Sequence, residues 1–526
     1  MLKDLEFKSP AGSGLNSDLP PWNLPDSFMT DGKNFRLQDG ALLSSGSSSL
    51  WFDQLGATDI DFFMSIPLVD VDLHIIAGKD GVYSFDGTNH SILQSANATL
   101  DRGWTGCMLG GIPVLNNPEV GAFYWFPTAH GQTLTPLPFD NQGKVWNPTS
   151  LQKSAKVMRS HRNFLFALDL TEFYQGKTAH MPDAYRWSHP SDINSIPPTW
   201  DDQDPNYLAG LAQLGADCGT IVDGLSLRDM FVIYADKGIN LLELSGDIYV
   251  WNRRQMTTTS GLLAKDCVVE VLGAHYLMTD NDIVRFDGSR VESIMQGRLR
   301  KHLQGNMDAI NYRNSVVISN LTHKEVWFCI PTNGETWPTL AYIYNWTEDS
   351  WGIRELAPNT SFLAYGPITK GSLRWEDLQS QTPPVSWATY SSPWYSQSDR
   401  GGVSTVIGTE HQGKIIDVDP VAPNDSLDCF VERTDFPLEG IKAATTITRV
   451  YPKIDSSGSV KITIGSQDYP GSPVRWKQPI TFDPSKERRI NIRSTGILHC
   501  WRIESISNSP FKFSGMQIEY TDSGIR

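Results

Sequence analysis

The sequence lacks features on which whole classes of protein depend. It contains no run of roughly 18 uncharged apolar residues, the length that a helix needs to span a bilayer. The first ten residues, MLKDLEFKSP, include no apolar stretch of the kind found in a secretory signal. We therefore expect neither a membrane-spanning segment nor a secretory signal. Helix signals are also scarce, and the best is MQGRLRKHLQG at residues 295–305, with Leu299 and Leu303 four apart and Gly305 as a stop.

Catalytic and metal-binding signatures are missing as well. The eleven histidines are dispersed without an HExxH pattern, and the cysteines never form a CxxC pair, so no zinc site is predicted. The segment YQGKTAH at residues 174–180 lacks the first glycine of a phosphate-binding loop, and no GxSxG motif occurs. We predict no catalytic, cofactor-binding or metal-binding residue, and hence no enzyme. The six cysteines are interpreted as separate reduced thiols of the core: Cys107, Cys218, Cys267, Cys329, Cys429 and Cys500.

Two pairs of carboxylates keep an enzymatic alternative open, because tryptophan-rich propellers include glycan-cleaving enzymes. Asp59 with Asp61, and Asp70 with Asp72, occupy alternate positions. On a strand, side chains two positions apart share a face and lie about 6.5 to 7 Å apart. That separation resembles the distance between the two carboxyl groups of a glycosidase. Solvent-facing strand ends are the more common reason for such a pattern.

Three further patterns are explained better by structure than by chemistry. SGDIYVW at residues 245–251 resembles an Asp box but has Ile248 where glycine belongs. The loop WDDQDP carries Asp201, Asp202 and Asp204 without the fixed order of oxygens that calcium prefers. Tryptophans at repeated positions are predicted to pack between sheets instead of stacking on sugars: Trp187, Trp327, Trp346 and Trp351.

Charge is distributed unevenly along the chain. The net charge is -15, but residues 426–526 contain 14 Lys and Arg against 11 Asp and Glu, whereas the remainder contains 30 against 48. Tight DNA binding needs cations that neutralise phosphates, so this balance argues against it while leaving room for DNA to pass nearby. Lys486, Arg488 and Arg489 form a basic run in the less acidic part. This run is either a docking surface for an acidic partner or a solvated strand edge.

What the sequence does contain is a repeated strand pair. LHIIAGKDGVYSFDG (73–87), MFVIYADKGINLLELSG (230–246) and HYLMTDNDIVRFDG (275–288) share one format, and the first and third repeat each other at a distance of 201 residues. We predict that Phe85 and Phe286 pack between sheets and that the following Asp-Gly pairs make exit turns. Four-stranded units recurring at roughly 40 to 60 residues are typical of a β-propeller. The fold class is therefore all-β, with about six or seven blades.

The chain divides into three regions. Residues 1–48 form an extended arm that ends in a hairpin around Asp39-Gly40. Residues 49–425 form the propeller, with a loop rich in Ser, Pro and Trp near residues 371–401. Residues 426–526 contain clean period-two strands such as SVKITIGSQ and are predicted to form a separate antiparallel β-sandwich-like platform domain.

Four segments carry a resemblance to a known family. They are the arm segment NSDLPPWNLPDSFMTDGKNFRLQDG, the blade segment YRWSHPSDINSIPPTWD, the strand pair EVWFCIP with AYIYNWTEDSW, and the ending from VKITIGSQDYPGSPVRWKQP to FKFSGMQIEYTDSGIR. In texture and order they resemble tail-nozzle proteins of short-tailed bacteriophages, also called tail tubular or DNA-stabilisation proteins. The resemblance covers nearly the whole chain and includes no catalytic signature.

The resemblance implies a structural virion protein of the phage tail, made in the cytoplasm of the host bacterium, that assembles as a homo-oligomeric ring, commonly a hexamer. The ring would lie below the portal and adaptor rings of the head-to-tail connector, and tail fibre or needle proteins would attach to it. Double-stranded DNA would pass non-specifically through the central channel during genome retention and ejection. Two alternatives stay open: a receptor-binding or glycan-cleaving β-propeller tail protein, and a cellular propeller that acts as an interaction scaffold.

Overall fold

In the residues that the structure describes, the regular secondary structure is almost entirely β-strand. The computed structural model describes residues 2–8, 12–53, 55–56, 59–67, 72–87, 89–126, 133–174, 177–245, 250–257, 260–368, 403–420, 425–441 and 443–523. Within these ranges one α-helix, α1 (Arg300–Asn306), and three single-turn 3-10 helices interrupt the strands: Pro21–Asn23, Ala216–Cys218 and Tyr312–Asn314. No helix in the described ranges is long and apolar enough to cross a membrane.

The strands before the first complete blade are β1 (Leu2–Lys8), β2 (Gly14–Leu15), β3 (Phe28–Met29), β4 (Asp31–Lys33), β5 (Phe35–Gln38), β6 (Ala41–Ser44) and β7 (Ser49–Phe52). Blade 1 contains β8 (Ile60–Pro67), β9 (Asp72–Gly78), β10 (Gly81–Phe85) and β11 (His90–Ser95). Blade 2 contains β12 (Thr105–Leu109), β13 (Ile112–Asn117), β14 (Gly121–Tyr124) and β15 (Thr135–Pro136). Blade 3 contains β16 (Lys153–His161), β17 (Phe164–Tyr174), β18 (Lys177–Trp187) and β19 (Gly210–Gln213).

Blade 4 contains β20 (Ile221–Leu227), β21 (Met230–Ala235), β22 (Ile239–Leu244) and β23 (Trp251–Thr257). Blade 5 contains β24 (Val268–Val271), β25 (Ala274–Met278), β26 (Ile283–Phe286) and β27 (Val291–Ser293). Blade 6 contains β28 (Val316–Asn320), β29 (Glu325–Ile330), β30 (Leu340–Asn345) and β31 (Ser350–Glu355). Blade 7 contains β32 (Thr360–Ile368), β33 (Val403–Glu410) and β34 (Lys414–Asp417), with β7 as its fourth strand.

These blades form a closed seven-bladed propeller in the part of the chain that the structure describes. Each blade is an antiparallel unit of four strands. The innermost strands contact one another from β12 round to β32, and β32 then contacts β8 of blade 1. Blade 7 takes its outermost strand from the N-terminal side of the chain, through pairs such as Ile416 with Leu50. The predicted propeller is confirmed, and the two ends of its sequence close the ring by sharing one blade.

The two repeated hairpins occupy matching places in blades 1 and 5, on β9–β10 and β25–β26. Phe85 pairs with His74, and Phe286 pairs with His275, so the repeat includes a buried histidine opposite each phenylalanine. Phe85 packs against aromatic rings of β7, which belongs to the neighbouring blade, as predicted. The glycine that ends each segment has a positive φ, 94° in blade 1 and 92° in blade 5, which glycine adopts without strain.

The helix predicted at residues 295–305 begins later than expected. α1 starts at Arg300, where the backbone amides of Arg300 and Lys301 donate to the carboxylate of Asp18, at 3.0 and 2.9 Å. A carboxylate of the N-terminal arm therefore caps this helix from a distant part of the sequence. Leu303 is buried, as the spacing predicted.

The remaining strands form, with the arm, a second unit that we call the platform. They are β35 (Phe430–Phe436), β36 (Thr445–Ser456), β37 (Val460–Gln467), β38 (Arg475–Trp476), β39 (Ile480–Phe482), β40 (Ile490–Gly496), β41 (Leu498–Ser505) and β42 (Phe511–Asp522). One platform sheet has the order β38-β37-β41-β35-β4, with β39 also on β37. The other contains β5, β6, β42, β36 and β40, and β1 pairs with β42.

The second platform sheet continues into the propeller. β31 of blade 6 pairs with β5, so blade 6, the arm and the C-terminal strands belong to one twelve-stranded sheet. One apolar core likewise extends from blades 4 to 6 into both platform sheets. The two platform sheets contact each other through edge-to-face ring pairs, Trp501 with Phe513 and Phe7 with Phe436. The assignment of residues 426–526 to a separate sandwich-like domain remains a prediction, and the Ser/Pro/Trp-rich loop near 371–401 lies outside the described residues.

Candidate functional site

A cluster of charged side chains lies on the propeller axis, where the chain enters the inner strands. Arg159 Nε lies 2.8 Å from Asp223 Oδ1, and Arg159 Nη2 lies 2.8 Å from Asp266 Oδ1. Lys265 Nζ donates to the backbone oxygens of Arg102 and Trp104. We call this group the axial cluster, and its members are Asp61, Arg102, Arg159, Asp223, Lys265 and Asp266.

Arg102 closes the axis at this level. It lies at the entrance to blade 2, and its Nη1 donates to the backbone oxygen of Ser315 in the connection to blade 6, at 2.7 Å. Its Nη2 lies 3.1 Å from Asp266 Oδ2 at blade 5, and its guanidinium lies 5.3 Å from the ring of Phe362 in blade 7. One side chain thus reaches blades on the opposite side of the ring. The side chain of Arg102 therefore crosses the central opening of the propeller at the level of this cluster, and a polymer could not pass through it.

Backbone geometry places several of these charges. A residue one to three positions before an inner strand adopts the left-handed conformation in five blades, which Asp and Asn tolerate better than most other residues. The residues concerned, with their φ angles, are Asp59 (59°), Arg102 (51°), Gln152 (57°), Asp266 (61°) and Asn359 (63°). This turn recurs in five of the seven blades and is a signal that sequence inspection missed, since in the sequence it appears only as a polar residue ahead of an apolar strand.

Burial shifts the ionisation of the axial cluster. It raises the pKa of Asp61 to about 6, although the amide of Arg102 opposes the shift. It lowers the pKa of Lys265 to about 8, with Asp266 opposing. Burial disfavours the anion of Asp266 too, but Arg159 and the neighbouring cations prevail and hold its pKa at about 2. Arg102 and Arg159 pair with Asp223 and Asp266, whereas Asp61 and Lys265 bind backbone groups, so most of the charge of this cluster is already engaged within the protein.

The predicted pairing of Asp59 with Asp61 on one strand face is wrong. Asp59 precedes β8 in a left-handed turn, and the strand register shifts between Ile60 and Phe62. Asp59 Oδ1 lies 2.7 Å from His411 Nε2, whereas the Asp61 side chain is 3 % exposed and accepts the amide of Arg102. The two carboxyl groups therefore have different partners and do not face a common substrate. Asp70 and the side chain of Asp72 lie outside the described residues.

The weaker motifs gain no support as binding sites. Asp202 binds Arg186 at 2.9 Å, while Asp201 and Asp204 accept backbone amides of their own loop. Trp251 of the Asp-box-like segment is buried in the blade core.

Across the described ranges no group of three or more His, Cys, Asp or Glu side chains could hold a metal ion. All six cysteines are free, and all but Cys107 are buried. Of the tryptophans at repeated positions, two are fully buried and two are half-buried: Trp327 and Trp351, and Trp187 and Trp346.

A second buried cluster fastens the arm to the propeller. Asp419, which follows β34 of blade 7, accepts from Arg36 of β5 at 2.6 Å and from Arg354 of β31 at 3.1 Å. Glu325 of β29 lies 3.6 Å from Arg36 and accepts the indole N–H of Trp327 at 2.9 Å. We call Arg36, Glu325, Arg354 and Asp419 the junction cluster. It joins residues that lie up to 383 positions apart in the sequence.

The two acids of the junction cluster respond to burial in opposite ways. Burial raises the pKa of Glu325 to about 7, because Arg36 only partly compensates. Burial also disfavours the anion of Asp419, but Arg36 and Arg354 outweigh it and hold the pKa of Asp419 at about 2. His323, whose Nε2 lies 3.7 Å from Asp419, has a pKa that burial lowers to about 4. Asp419 is therefore the anion on which the junction depends.

The platform presents a basic surface on and beside β40. Arg488, Arg489 and Arg493 are exposed, and none of them forms an ion pair with another described residue. Lys486 is exposed and lies 2.8 Å from Asp483. In a chain with a net charge of -15, three unpaired arginines on one edge form a local surface of opposite sign. The prediction that this run docks an acidic partner remains a prediction.

The platform and the arm also expose three large aromatic side chains, which we call the aromatic patch: Trp22, Tyr469 and Trp476. Trp22 lies beside the loop that carries Tyr469, and Trp476 lies on β38. The arm reaches this patch because Arg433 donates to the backbone oxygens of Pro21 and Leu24, at 3.0 and 2.8 Å. A Cβ on Gly471 would lie 3.3 Å from the ring of Trp22, so the loop carrying Tyr469 lies against the arm. Aromatic residues that are half-apolar and half-polar are enriched at protein interfaces.

Comparisons with known proteins identify no family. No family model matches the chain, and no curated protein matches it. Among solved structures, the WD40 domain of Neurospora crassa Pan2 aligns with 72 % of this chain and 96 % of its own, at 7 % identity and a TM-score of 0.38. The computationally designed Ika8 protein aligns with 73 % of this chain and 94 % of its own, at 9 % identity and a TM-score of 0.36. Citrobacter koseri AztD aligns with 62 % and 73 %, at 9 % identity and a TM-score of 0.30. Scores at this level assign neither a family nor a function, and the propeller fold rests on the strand pairing described above.

Proposed function

We propose that this protein is a non-enzymatic tail-nozzle subunit of a short-tailed phage virion, which assembles as a ring, commonly of six copies, below the portal and adaptor. The observation that carries the proposal is the twelve-stranded sheet shared by blade 6, the arm and the platform. Two units joined only by a linker move relative to each other unless their interface is large and apolar. A hydrogen-bonded sheet and a continuous core make this subunit suited to a load-bearing ring.

The path of DNA in this proposal runs between subunits and not through a propeller. Arg102 and its partners block the axis of each propeller, so the channel has to form where several copies surround a common axis. The arm and propeller together are strongly acidic, with 48 Asp and Glu against 30 Lys and Arg before residue 426. An acidic wall offers no grooves that neutralise phosphates, so double-stranded DNA slides along it without being held.

The partners proposed for the ring are the portal or adaptor ring and the tail fibre or needle proteins. The aromatic patch is the surface that we assign to one of these protein partners, since buried aromatic side chains often supply most of the affinity of an interface. Replacing Trp22 with Ala is expected to weaken that contact and leave the fold intact, because the side chain is 41 % exposed. The nozzle function proposed above would place the protein in the virion.

Electron microscopy of the purified full-length protein tests the proposal. We expect rings with a central opening, and coaxial stacks when the portal and adaptor proteins of the same phage are added. A protein that stays monomeric even with those partners would contradict the nozzle assignment. Binding to bacterial surface polysaccharide, lost on changing Asp59 to Ala, would instead support a glycan-directed tail protein. Neighbouring genes without portal or terminase functions would favour a cellular scaffold.

A further inference from the structure

The part of the platform sheet formed by β1, β42, β36 and β40 ends in two open edges. Among the described residues, β1 pairs only with β42, from Leu2 with Thr521 to Lys8 with Gly515. Within the same ranges β40 pairs only with β36, from Ile490 with Val450 to Gly496 with Thr445. Among the described residues, no backbone hydrogen bond reaches the outward side of either strand. Open edges of this kind are templates for pairing with another chain.

The two edges carry opposite charge on the same face of the sheet. Phe7 is buried and packs on Phe436 of the other sheet, so the alternate positions Asp4 and Glu6 face outward, where both are exposed. On β40, Ile490 is buried and Arg493 is exposed. The register of β40 against β36 shifts between Asn491 and Ser494, so the exposure of Arg493, and not alternation, places it on the outward face.

Ion pairs on the outward face also join the strands between the two edges. Arg449 of β36 lies 2.9 Å from Glu519 of β42, and Lys453 of β36 pairs with Glu6 of β1. The outward face therefore runs from acidic at β1 to basic at β40. Arg493 is the exposed cation at the end of this series that has no ion-pair partner among the described residues.

Strand direction permits the two edges to join. The three pairings from β1 through β42 and β36 to β40 are all antiparallel, so β1 and β40 run in opposite directions. When a second copy is related to the first by rotation about a ring axis, its β1 can lie beside β40 of the first and continue the antiparallel order. Such a contact is heterologous, and repeated heterologous contacts close into a ring when the rotation permits.

We propose that β40 of one copy pairs with β1 of the next copy, so that the platform sheets of neighbouring subunits join into one sheet around the ring, with Arg493 opposite the carboxylates of Asp4 and Glu6. This inference rests on the proposed ring function and names the contact that builds the ring. Cross-strand pairs of opposite charge stabilise a sheet, whereas like charges directly opposite destabilise it.

The test reverses the charge of each edge in the full-length protein. One variant carries Asp4→Lys and Glu6→Lys, the second carries Arg489→Glu and Arg493→Glu, and the third combines all four changes. A control matched to the second variant, Arg254→Glu with Arg290→Glu, makes the same two Arg→Glu changes at exposed arginines of the propeller. Sedimentation velocity measures the ring fraction over a concentration series, and the unfolding midpoint checks that each variant is folded.

We expect each edge variant to raise the dissociation constant of the subunit contact by about tenfold or more, since two favourable pairs become repulsive. The control is expected to assemble like the wild type, and the combined variant to recover assembly. If the combined variant does not fold, a mixture of the two edge variants should form mixed rings, which a tag on one variant recovers.

The outcomes separate the two proposals. A monomeric wild type would overturn the ring function and the edge pairing together. Wild-type rings with folded edge variants that assemble equally well would overturn only the edge pairing. Edge variants that lose assembly without recovery in either the combined variant or the mixture would also overturn it, because complementary charge is its stated basis.

Discussion

The axial cluster and the junction cluster are both buried groups of ion pairs, but they join different parts of the molecule. The axial cluster joins the inner ends of blades that follow one another in the sequence. Its ion pairs are distributed over several charged groups, with two arginines and two aspartates pairing directly. The junction cluster joins the arm to blades 6 and 7, and its two arginines share the single carboxylate of Asp419. The axial cluster has several ion pairs between blades that are close in sequence. The junction cluster depends on one anion, Asp419, and joins residues from opposite ends of the chain.

This difference indicates how the molecule can fail. Loss of one axial charge leaves neighbours of both signs that can compensate in part. Loss of the junction anion leaves two buried guanidinium groups, because the nearby acid, Glu325, has a pKa raised to about 7 by its burial. Breaking a buried pair by removing one partner is costly because the other charge stays buried. The junction is therefore the weaker point of a fold whose propeller is otherwise closed on itself.

The largest effect is expected for Asp419→Ala. We predict a loss of about 3 to 5 kcal/mol in the free energy of unfolding, since Arg36 and Arg354 would both lose their main anionic partner. Urea unfolding followed by tryptophan fluorescence measures it. Asp425→Ala, at an exposed position close by, is the matched control and should unfold like the wild type. Equal stability of Asp419→Ala and this control would show that the junction does not depend on Asp419.

A smaller loss is expected for Arg159→Met in the axial cluster. The change leaves Asp223 without its bidentate partner and Asp266 without one hydrogen bond, but Arg102 and Lys265 remain close to Asp266. We predict a loss of about 2 to 4 kcal/mol by the same unfolding measurement. A larger loss than that of Asp419→Ala would reverse the comparison between the two clusters.

The pH dependence of the junction sharpens the comparison further. The folded-state pKa of Glu325 is about 7, above its ordinary value of 4.5, so the folded protein holds a proton that the unfolded chain has released over this range. The stabilising contribution of the protonated group is complete below pH 4.5 and is lost as the pH rises through 7. Glu325→Gln removes this loss. We expect the variant to gain on the order of 1 to 3 kcal/mol over the wild type between pH 4.5 and pH 8.

Unfolding curves of both proteins at several pH values measure this difference. The groups around Glu325 are Arg36, Arg354, Asp419 and His323. The pKa of His323 is lowered to about 4, so its own contribution rises with pH between 4 and 6.5, but it is present in both proteins and largely cancels in the comparison. A stability difference that stays constant from pH 4.5 to pH 8 would contradict the raised pKa of Glu325.

The smallest effects are expected at two buried serines of the propeller that differ in their hydrogen bonds. Ser361 Oγ donates to the backbone oxygen of Ile60 or Thr409, so Ser361→Ala should cost about 1 kcal/mol. Ser315 Oγ is buried and has no hydrogen-bond partner among the described residues, so Ser315→Ala should be within about 0.5 kcal/mol of the wild type. Thermal unfolding of the two variants side by side measures the difference, and a reversed order would be inconsistent with these contacts.

The sequence predicts local structure in this chain far better than long-range contacts. The repeated hairpins were found because Phe85 and Phe286 follow the same alternation and precede the same Asp-Gly turn. The arm hairpin at Asp39-Gly40 was found for the same reason, since β5 and β6 flank it. Such signals lie within a few residues of one another, and so inspection of one sequence can detect them.

The two clusters could not be predicted because their members lie far apart. Arg36 and Asp419 meet only when the arm returns to the propeller, and Arg102 meets the oxygen of Ser315 only when the ring closes. A lone arginine or aspartate carries no periodicity that would indicate its partner. The mistaken pairing of Asp59 with Asp61 has a related cause, since a left-handed turn and a register shift break the alternation that the prediction assumed.

The mass of the purified full-length protein in solution tests the central claim most directly. Single-particle mass measurement at several concentrations is expected to show one main assembly of about six chain masses, each of 58.7 kDa, as a closed ring requires. The fraction of rings should fall with rising salt, because the proposed edges carry opposite charge. A single species of 58.7 kDa at every concentration, with or without portal and adaptor proteins, would contradict the account.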